Sequence, residues 1–321
     1  MNNQEHIYLS KFSEWLIIKG YTSKTIHTFC RTAKRFIDWL DEQNIEIENA
    51  SYNDLVAYVG YQKKRENKQR TIQININIIK HFYNFLQSEE LVSENPASNV
   101  LIRGIKRKTL QEILSPEELE NIYKSFNAEK RAYQKTQRVP PQANNELARK
   151  RNKIILGLLI YQGMRTEELG KLELQDLQLR EGKINIQAAK KYDARILKLE
   201  AHQVYDIMDY VHGTRKAILQ ATGKNTGKVF ISVGTSLNFS NIMQKLVKEI
   251  QRISSKSLPA GRQVKDMKQI RTSIISNWLK VHNLRRVQYM AGHRYVSSTE
   301  AYQLNNLEDL QDDIRKYHPI G

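Results

Sequence analysis

The chain has 321 residues, 40% hydrophobic and 26% charged, with 51 Lys+Arg against 34 Asp+Glu and a net charge of +17. That length and apolar content predict about two folded domains and exclude an intrinsically disordered chain. Its single cysteine, Cys30, excludes an internal disulfide framework and a cysteine-based zinc site, and the surplus of cations calls for a polyanionic partner. The longest apolar run, Ile154 to Tyr161, is broken by Gly157 and is too short to span a bilayer. Met1-Asn2-Asn3-Gln4-Glu5 lacks the basic start of a secretory signal, so a soluble cytoplasmic protein with no membrane partner is expected. The charge is unevenly placed. Residues 1–100 hold 12 Lys+Arg and 12 Asp+Glu, so the whole surplus lies in residues 101–321.

The first hundred residues read as helices. Leu9, Phe12, Trp15 and Leu16 share one face of a segment that stops at Gly20, a helix C-terminal signal. Ser23 is the expected N-cap of a second helix carrying Ile26, Phe29, Ala33, Ile37 and Leu40. Ile72, Ile74, Ile76 and Ile78 alternate as a strand would. Ile72, Ile76, Ile79, Phe82, Tyr83 and Leu86 fit a long helix instead, which is favoured because a lone strand among helices has no pairing partner. Asn95-Pro96 opens a linker whose cations are Arg103, Lys106, Arg107 and Lys108. Ser115-Pro116-Glu117-Glu118, flanked by Leu114 and Leu119, has the pattern of a capping box with a hydrophobic staple. From Lys130 to Lys153 runs a basic stretch that reads equally as a solvated loop and helix face or as polyanion surface. Lys183–Gln187 and Arg195–Leu199 form an expected β-hairpin around Lys190-Lys191-Tyr192-Asp193. Helical pattern returns over residues 238–253, 266–280, 284–291, 298–303 and 307–317.

No Walker-type loop is present, which disfavours nucleotide hydrolysis, and the histidines lack metal-ligand spacing. A metal-free protein that acts on DNA needs arginines, because the planar guanidinium grips phosphate oxygens two at a time. Gly163-Met164-Arg165-Thr166-Glu167-Glu168-Leu169, followed by Leu172-Glu173-Leu174-Gln175-Asp176-Leu177, resembles the first arginine box of the tyrosine recombinase (phage integrase) family. The hairpin turn Ala189-Lys190-Lys191-Tyr192 sits where that family keeps a catalytic lysine. Lys268-Gln269-Ile270-Arg271 resembles the second arginine box, and Ala291-Gly292-His293 the third. Tyr302, nine residues beyond His293, has the family's spacing to its nucleophile. The resemblance extends to the first hundred residues through Phe82-Tyr83-Asn84-Phe85-Leu86 and Asn95-Pro96.

Each of these residues also has a structural reading. Arg165 reads as a helix-end cation, Arg271 as half of a surface ion pair, His293 as a satisfied loop histidine, and Tyr302 as a core aromatic competing with Tyr289 and Tyr295. Their order and mutual spacing favour the functional one. Aligning Arg195 and Leu199 with the end of the hairpin places the catalytic lysine at Lys190, with Lys191 the alternative. Lys268 departs from the family, which commonly has histidine there. A lysine keeps the positive charge, but with an ordinary pKa of about 10.4 it is no neutral base near pH 7.

The resemblance implies a mainly α protein with a small antiparallel β-sheet. A helical core-binding domain (1–95), a basic linker (96–113) and a catalytic domain (114–321) would make a C-shaped clamp. It implies catalytic roles for Arg165, Lys190, Lys268, Arg271, His293 and the nucleophile Tyr302, and no metal or other cofactor. Lys63, Lys64, Arg65, Lys68, Arg70, Arg103, Lys106, Arg107 and Lys108 are the expected DNA-binding cations. Expected partners are double-stranded DNA at a recombination site, three further copies of the chain, and a DNA-bending accessory protein, all at the nucleoid. Residues 307–317 would dock on a neighbouring protomer or fold back on their own domain. Integration or excision of a mobile element is the first expectation. The absence of an added N-terminal arm-binding domain also suits a Xer-like resolvase, and a non-catalytic DNA-binding protein would share the fold. An RNA-binding module is disfavoured because no RNP-type aromatic motif or GxxG loop is present.

Overall fold

The computed structural model describes residues 3–104, 112–126, 142–189, 192–234, 238–259 and 261–303. The chain divides into two compact units, Met1–Thr109 and Leu110–Gly321. The first is a bundle of helices α1 (Asn3–Ile18), α2 (Ser23–Glu42), α3 (Tyr52–Lys64) and α4 (Gln69–Ser88). Thr22, not Ser23, caps α2: its hydroxyl accepts from the Thr25 backbone N–H. The isoleucine run is helical throughout α4, with Ile72, Ile76, Ile79, Phe82, Tyr83 and Leu86 buried and Ile74 half-exposed. Phe12 of α1 meets Phe82 edge-on at 5.2 Å, and Phe36 of α2 meets Tyr58 of α3 at 4.9 Å. The buried Tyr83 hydroxyl donates to the Ile47 carbonyl at 3.0 Å, which satisfies the one polar atom that ring brings inside.

The second unit begins with α5 (Pro116–Ser125), α6 (Gln142–Gln162) and α7 (Thr166–Lys171). Ser115 and Glu118 close the expected capping box, with Pro116 in the first turn. A three-stranded antiparallel sheet follows: β1 (Leu177–Gln178), β2 (Lys183–Ile186) and β3 (Arg195–Lys198) in the order β1-β2-β3. Ile184 pairs with Leu197 and Ile186 with Arg195, so the period-2 alternation turns Arg195 to the same buried side as Leu197. Next come α8 (Ala201–Asp209), a π-turn at Tyr210–Thr214, α9 (Arg215–Thr222), α10 (Phe239–Ser257), α11 (Met267–Val281) and α12 (Leu284–Ala291). Residues 297–303 are also helical. Helices α5, α6, α10 and α11 and strands β2 and β3 share one core, through Phe126, Leu156, Leu159, Ile184, Leu246, Ile250 and Ile270. Among the described residues no helix is long and apolar enough to cross a membrane.

The basic stretch from Lys130 splits. Residues 127–141 lie outside the described residues, and Arg149 to Lys153 fall on α6. That part is not a simple solvated face. Arg151 is 4% exposed and donates to the Ile231 carbonyl at 2.7 Å and to Asn152 Oδ1. Lys153 donates to the carbonyls of Tyr123 and Phe126 at 2.9 Å each. Burial pushes the Arg151 pKa down to about 10, which leaves the group charged at neutral pH. These cations tie loops to the core.

Candidate active site

The site is assembled where α6 ends and α11 and α12 meet it. Gly163 closes α6 at φ +56°, a left-handed conformation glycine adopts without a Cβ penalty. A Cβ there would lie 3.0 Å from the Trp278 ring and 3.2 Å from Ile274. The turn hands the chain to Arg165, the N-cap of α7, whose backbone N–H donates to Glu168 Oε2 at 2.8 Å. Arg165 Nη1 donates to Glu168 Oε1 and to the Ala291 carbonyl, both at 3.0 Å. From α11, Arg271 donates through Nη1 to the Gly163 carbonyl and through Nη2 to the same Ala291 carbonyl at 2.7 Å. Two guanidinium groups therefore converge on one backbone oxygen. Burial and the charge of Arg165 push the Arg271 pKa below its ordinary value.

Glu168 sits beneath this pair and is held by a third arginine. Arg195 Nη1 and Nη2 donate to its two carboxylate oxygens at 2.9 Å each. Burial alone would raise the Glu168 pKa, but the hydrogen bonds and charge of Arg195 outweigh it and pull the carboxyl down to about 2. The carboxylate is ionised at any working pH.

Gly292 ends α12 in the left-handed region, φ +62°, and turns His293 inward. His293 Nδ1 lies 2.9 Å from the hydroxyl of the fully buried Thr299. Burial, and then the charges of Arg271, Arg165 and Arg195, push the imidazole pKa down to about 3, so the ring is neutral at pH 7. Its face stacks on Tyr302, with centroids 5.7 Å apart and planes 14° from parallel. Tyr302, half-buried, also packs against Ile275, Val287 and Ala291.

Of the residues expected in catalysis, Arg165, Arg271, His293 and Tyr302 come together here. Lys190 and Lys191 lie outside the described residues. The flanking Ala189 and Tyr192 exchange both backbone hydrogen bonds at 3.0 Å, and the Arg165 guanidinium lies 3.7 Å from the Tyr192 ring centroid. Lys268 is exposed in the first turn of α11, one turn before Arg271. Lys63, Lys64, Arg65, Lys68 and Arg70 are all exposed where α3 passes into α4. Lys63, Gln69 and Arg103 line one groove of about 320 Å³ in the first unit. Lys106, Arg107 and Lys108 lie outside the described residues.

Sequence reasoning missed Glu168, Arg195, Thr299 and Tyr192 as parts of the site. Glu168 carried a signal, standing three residues after Arg165 at the capping-box interval. Thr299 and Arg195 carried none, because their partners lie six residues or more away along the chain.

A helical unit of this kind followed by a mainly α unit with a small antiparallel sheet is the architecture of a tyrosine recombinase. Residues 114–308 match the phage integrase family, and residues 9–90 match the phage integrase N-terminal SAM-like domain. The chain belongs to that family, whose reaction is site-specific DNA recombination. It is similar to tyrosine recombinase XerC of Bacillus pumilus, 25% identical over 99% of this chain and 97% of the relative. It is also similar to tyrosine recombinase XerD of Proteus mirabilis, 24% identical over 100% and 96%. Among solved structures it shares its fold with XerH site-specific recombinase bound to difH substrate, at TM-score 0.67 and 16% identity over 89% of this chain and 78% of that one. A lambda integrase tetramer bound to a Holliday junction gives TM-score 0.61 at 12% identity, over 92% and 76%.

Proposed function

We propose that this protein cuts and rejoins duplex DNA at a specific site through Tyr302, integrating or excising a mobile element. The observation that carries the reading is the convergence of Arg165 and Arg271 on the Ala291 carbonyl, two residues before His293 and beside the ring of Tyr302.

Tyr302 Oη attacks the scissile phosphorus. The new O–P bond leaves the 3′ phosphate on the enzyme, and the P–O5′ bond breaks. Arg165 and Arg271 hold the non-bridging oxygens, where charge builds in the transition state; losing one such donor costs on the order of 100–1000-fold. Lys190 delivers a proton to the leaving 5′ oxygen. Neutral His293 donates a hydrogen bond to the phosphate, and Lys268 adds positive charge nearby. The phosphotyrosine keeps the bond energy, so a 5′ hydroxyl from the partner strand reverses the step without ATP. The arginines supply the charge a metal would otherwise bring. By likeness to the lambda integrase tetramer on a Holliday junction, four copies synapse two duplexes. The reaction takes place in the cytoplasm, at the nucleoid. The exposed cations from Lys63 to Arg70, with Arg103 and the linker cations Lys106, Arg107 and Lys108, grip the backbone.

A second reading, a Xer-like chromosome-dimer resolvase, is favoured by the end-to-end match to XerC and XerD. Expressing the protein beside its genomic flanks and sequencing the new junctions separates the two. Junctions at both ends of a mobile segment mean an integrase; exchange at one chromosomal site means a resolvase. A nicked duplex built from the mapped site then traps the covalent intermediate as an adduct on a denaturing gel. Tyr302→Phe is expected to bind that duplex and form no adduct. An adduct from that variant would overturn the assignment.

A further inference from the structure

Arg195 is the residue whose placement the recombination chemistry above leaves unexplained. Its side chain is 0% exposed, so it cannot touch DNA. A guanidinium carried into a protein interior is expensive unless paired and fully hydrogen-bonded. Here Nη1 and Nη2 take both oxygens of Glu168 at 2.9 Å, and Nε donates to the Met290 carbonyl at 2.9 Å. The neighbouring backbone is shaped around it. A Cβ on Gly292 would overlap Nη1 and lie 2.9 Å from Cζ, so only glycine lets the 290–293 segment lie against this guanidinium.

We infer that Arg195 is a positioning residue: by clasping Glu168 and the backbone of residues 290–292 together, it aligns Arg165 and Arg271 for phosphate. This rests on the reading of those two arginines as the phosphate clamp. The chain of contacts is short. Arg195 fixes Glu168, and Glu168 fixes both the backbone and Nη1 of Arg165. Through Met290 the same side chain also fixes the strand of backbone whose next carbonyl, Ala291 O, receives Arg165 and Arg271. One end of β3 is thus tied to α7 and to the end of α12. Charge matters as much as geometry. Paired with Arg165 alone, the Glu168 carboxylate would neutralise it and compete with the DNA phosphate. Clasped from the far side by Arg195, Glu168 engages Nη1 of Arg165. Among the described residues, hydrogen bonds from the Arg165 guanidinium involve that nitrogen only, leaving Nε and Nη2 for a ligand.

The test measures single-turnover adduct formation on the nicked duplex by the unaltered chain, Arg195→Lys and Arg195→Met. Two substrates are used: the normal phosphodiester, and one carrying a neutral methylphosphonate at the scissile position. On the phosphodiester both variants are expected to slow by roughly 100-fold, the scale of losing one preorganised donor, while affinity for the duplex stays within about threefold. On the methylphosphonate, which has one anionic oxygen fewer to hold, the deficit is expected to shrink to about tenfold or less. Equal deficits on both substrates would mean that Arg195 only holds the fold together, and wild-type rates on the phosphodiester would mean that it does nothing for the clamp; either overturns the proposal. Arg195→Lys keeps the buried charge and serves if Arg195→Met does not fold. If the unaltered chain gives no adduct that Tyr302→Phe abolishes, the recombinase reading itself falls, and the proposal with it.

Discussion

Replacing Thr299 by valine removes one hydroxyl from a fully buried position and keeps the outline of the side chain. In the folded chain that hydroxyl lies 2.9 Å from His293 Nδ1. A histidine that donates to phosphate through Nε2 needs Nδ1 to be the acceptor, so the Thr299 hydroxyl donates and selects the Nε2–H tautomer. Thr299→Val leaves Nδ1 buried without that partner. The cost of an unsatisfied buried polar atom is about 1–3 kcal/mol, and in a domain of this size each kcal/mol lowers the melting temperature by about 2–4 °C. The ring also loses the bond that fixes its rotation beside Tyr302, and a displacement of about 1 Å near the reacting atoms costs on the order of 100-fold in rate. Thermal melting by circular dichroism and adduct formation on the nicked duplex read the two effects separately. Thr299→Ser, which restores the hydroxyl, is expected to recover both. A Thr299→Val protein that melts and cleaves like the unaltered chain would refute the reasoning, as would a serine variant no better than the valine one.

The two large pKa displacements in the site make stability depend on acid. His293 titrates at about 3 in the folded chain against 6.5 when free, so the unfolded chain binds the extra proton between those values. Its contribution is complete above pH 6.5 and is lost as pH falls toward 3. Glu168, at about 2 against 4.5, contributes fully above pH 4.5 and loses that contribution as pH falls toward 2. Melting temperature against pH is expected to decline in both windows, with Glu168→Gln flattening the lower one and His293→Gln the upper. In the first unit, neutralising Lys63, Lys64 and Arg65 together is expected to weaken binding to any duplex and to reduce the slope of log K against log salt. Each DNA phosphate that is no longer neutralised takes roughly 0.9 from that slope, so an unchanged slope in a salt-titrated binding assay would remove these cations from the DNA interface.

Much of this molecule was legible in its sequence because the signals are local. Helix α4 follows from apolar residues three and four apart, and the start of α5 from Ser115, Pro116 and Glu118 within four consecutive positions. The order Arg165, Arg271, His293, Tyr302 pointed to the chemistry because spacing along the chain survives where overall identity does not. Other features exist only once the chain is folded. The basic stretch around Arg151 reads as solvent-facing until α6 is packed and the Ile231 carbonyl is brought to its guanidinium. Arg195 looks like one more surface cation of a hairpin, and only the β2–β3 register and the arrival of Glu168 and Met290, 27 and 95 residues away, turn it into the buried clasp. The neutrality of His293 is likewise a tertiary property, set by burial and by three arginines drawn from α11, the N-cap of α7 and β3. Residue types and intervals determined which groups the protein owns. Long-range packing, which sets dielectric and partner, decided which of them are charged, which are buried, and which are left facing a ligand.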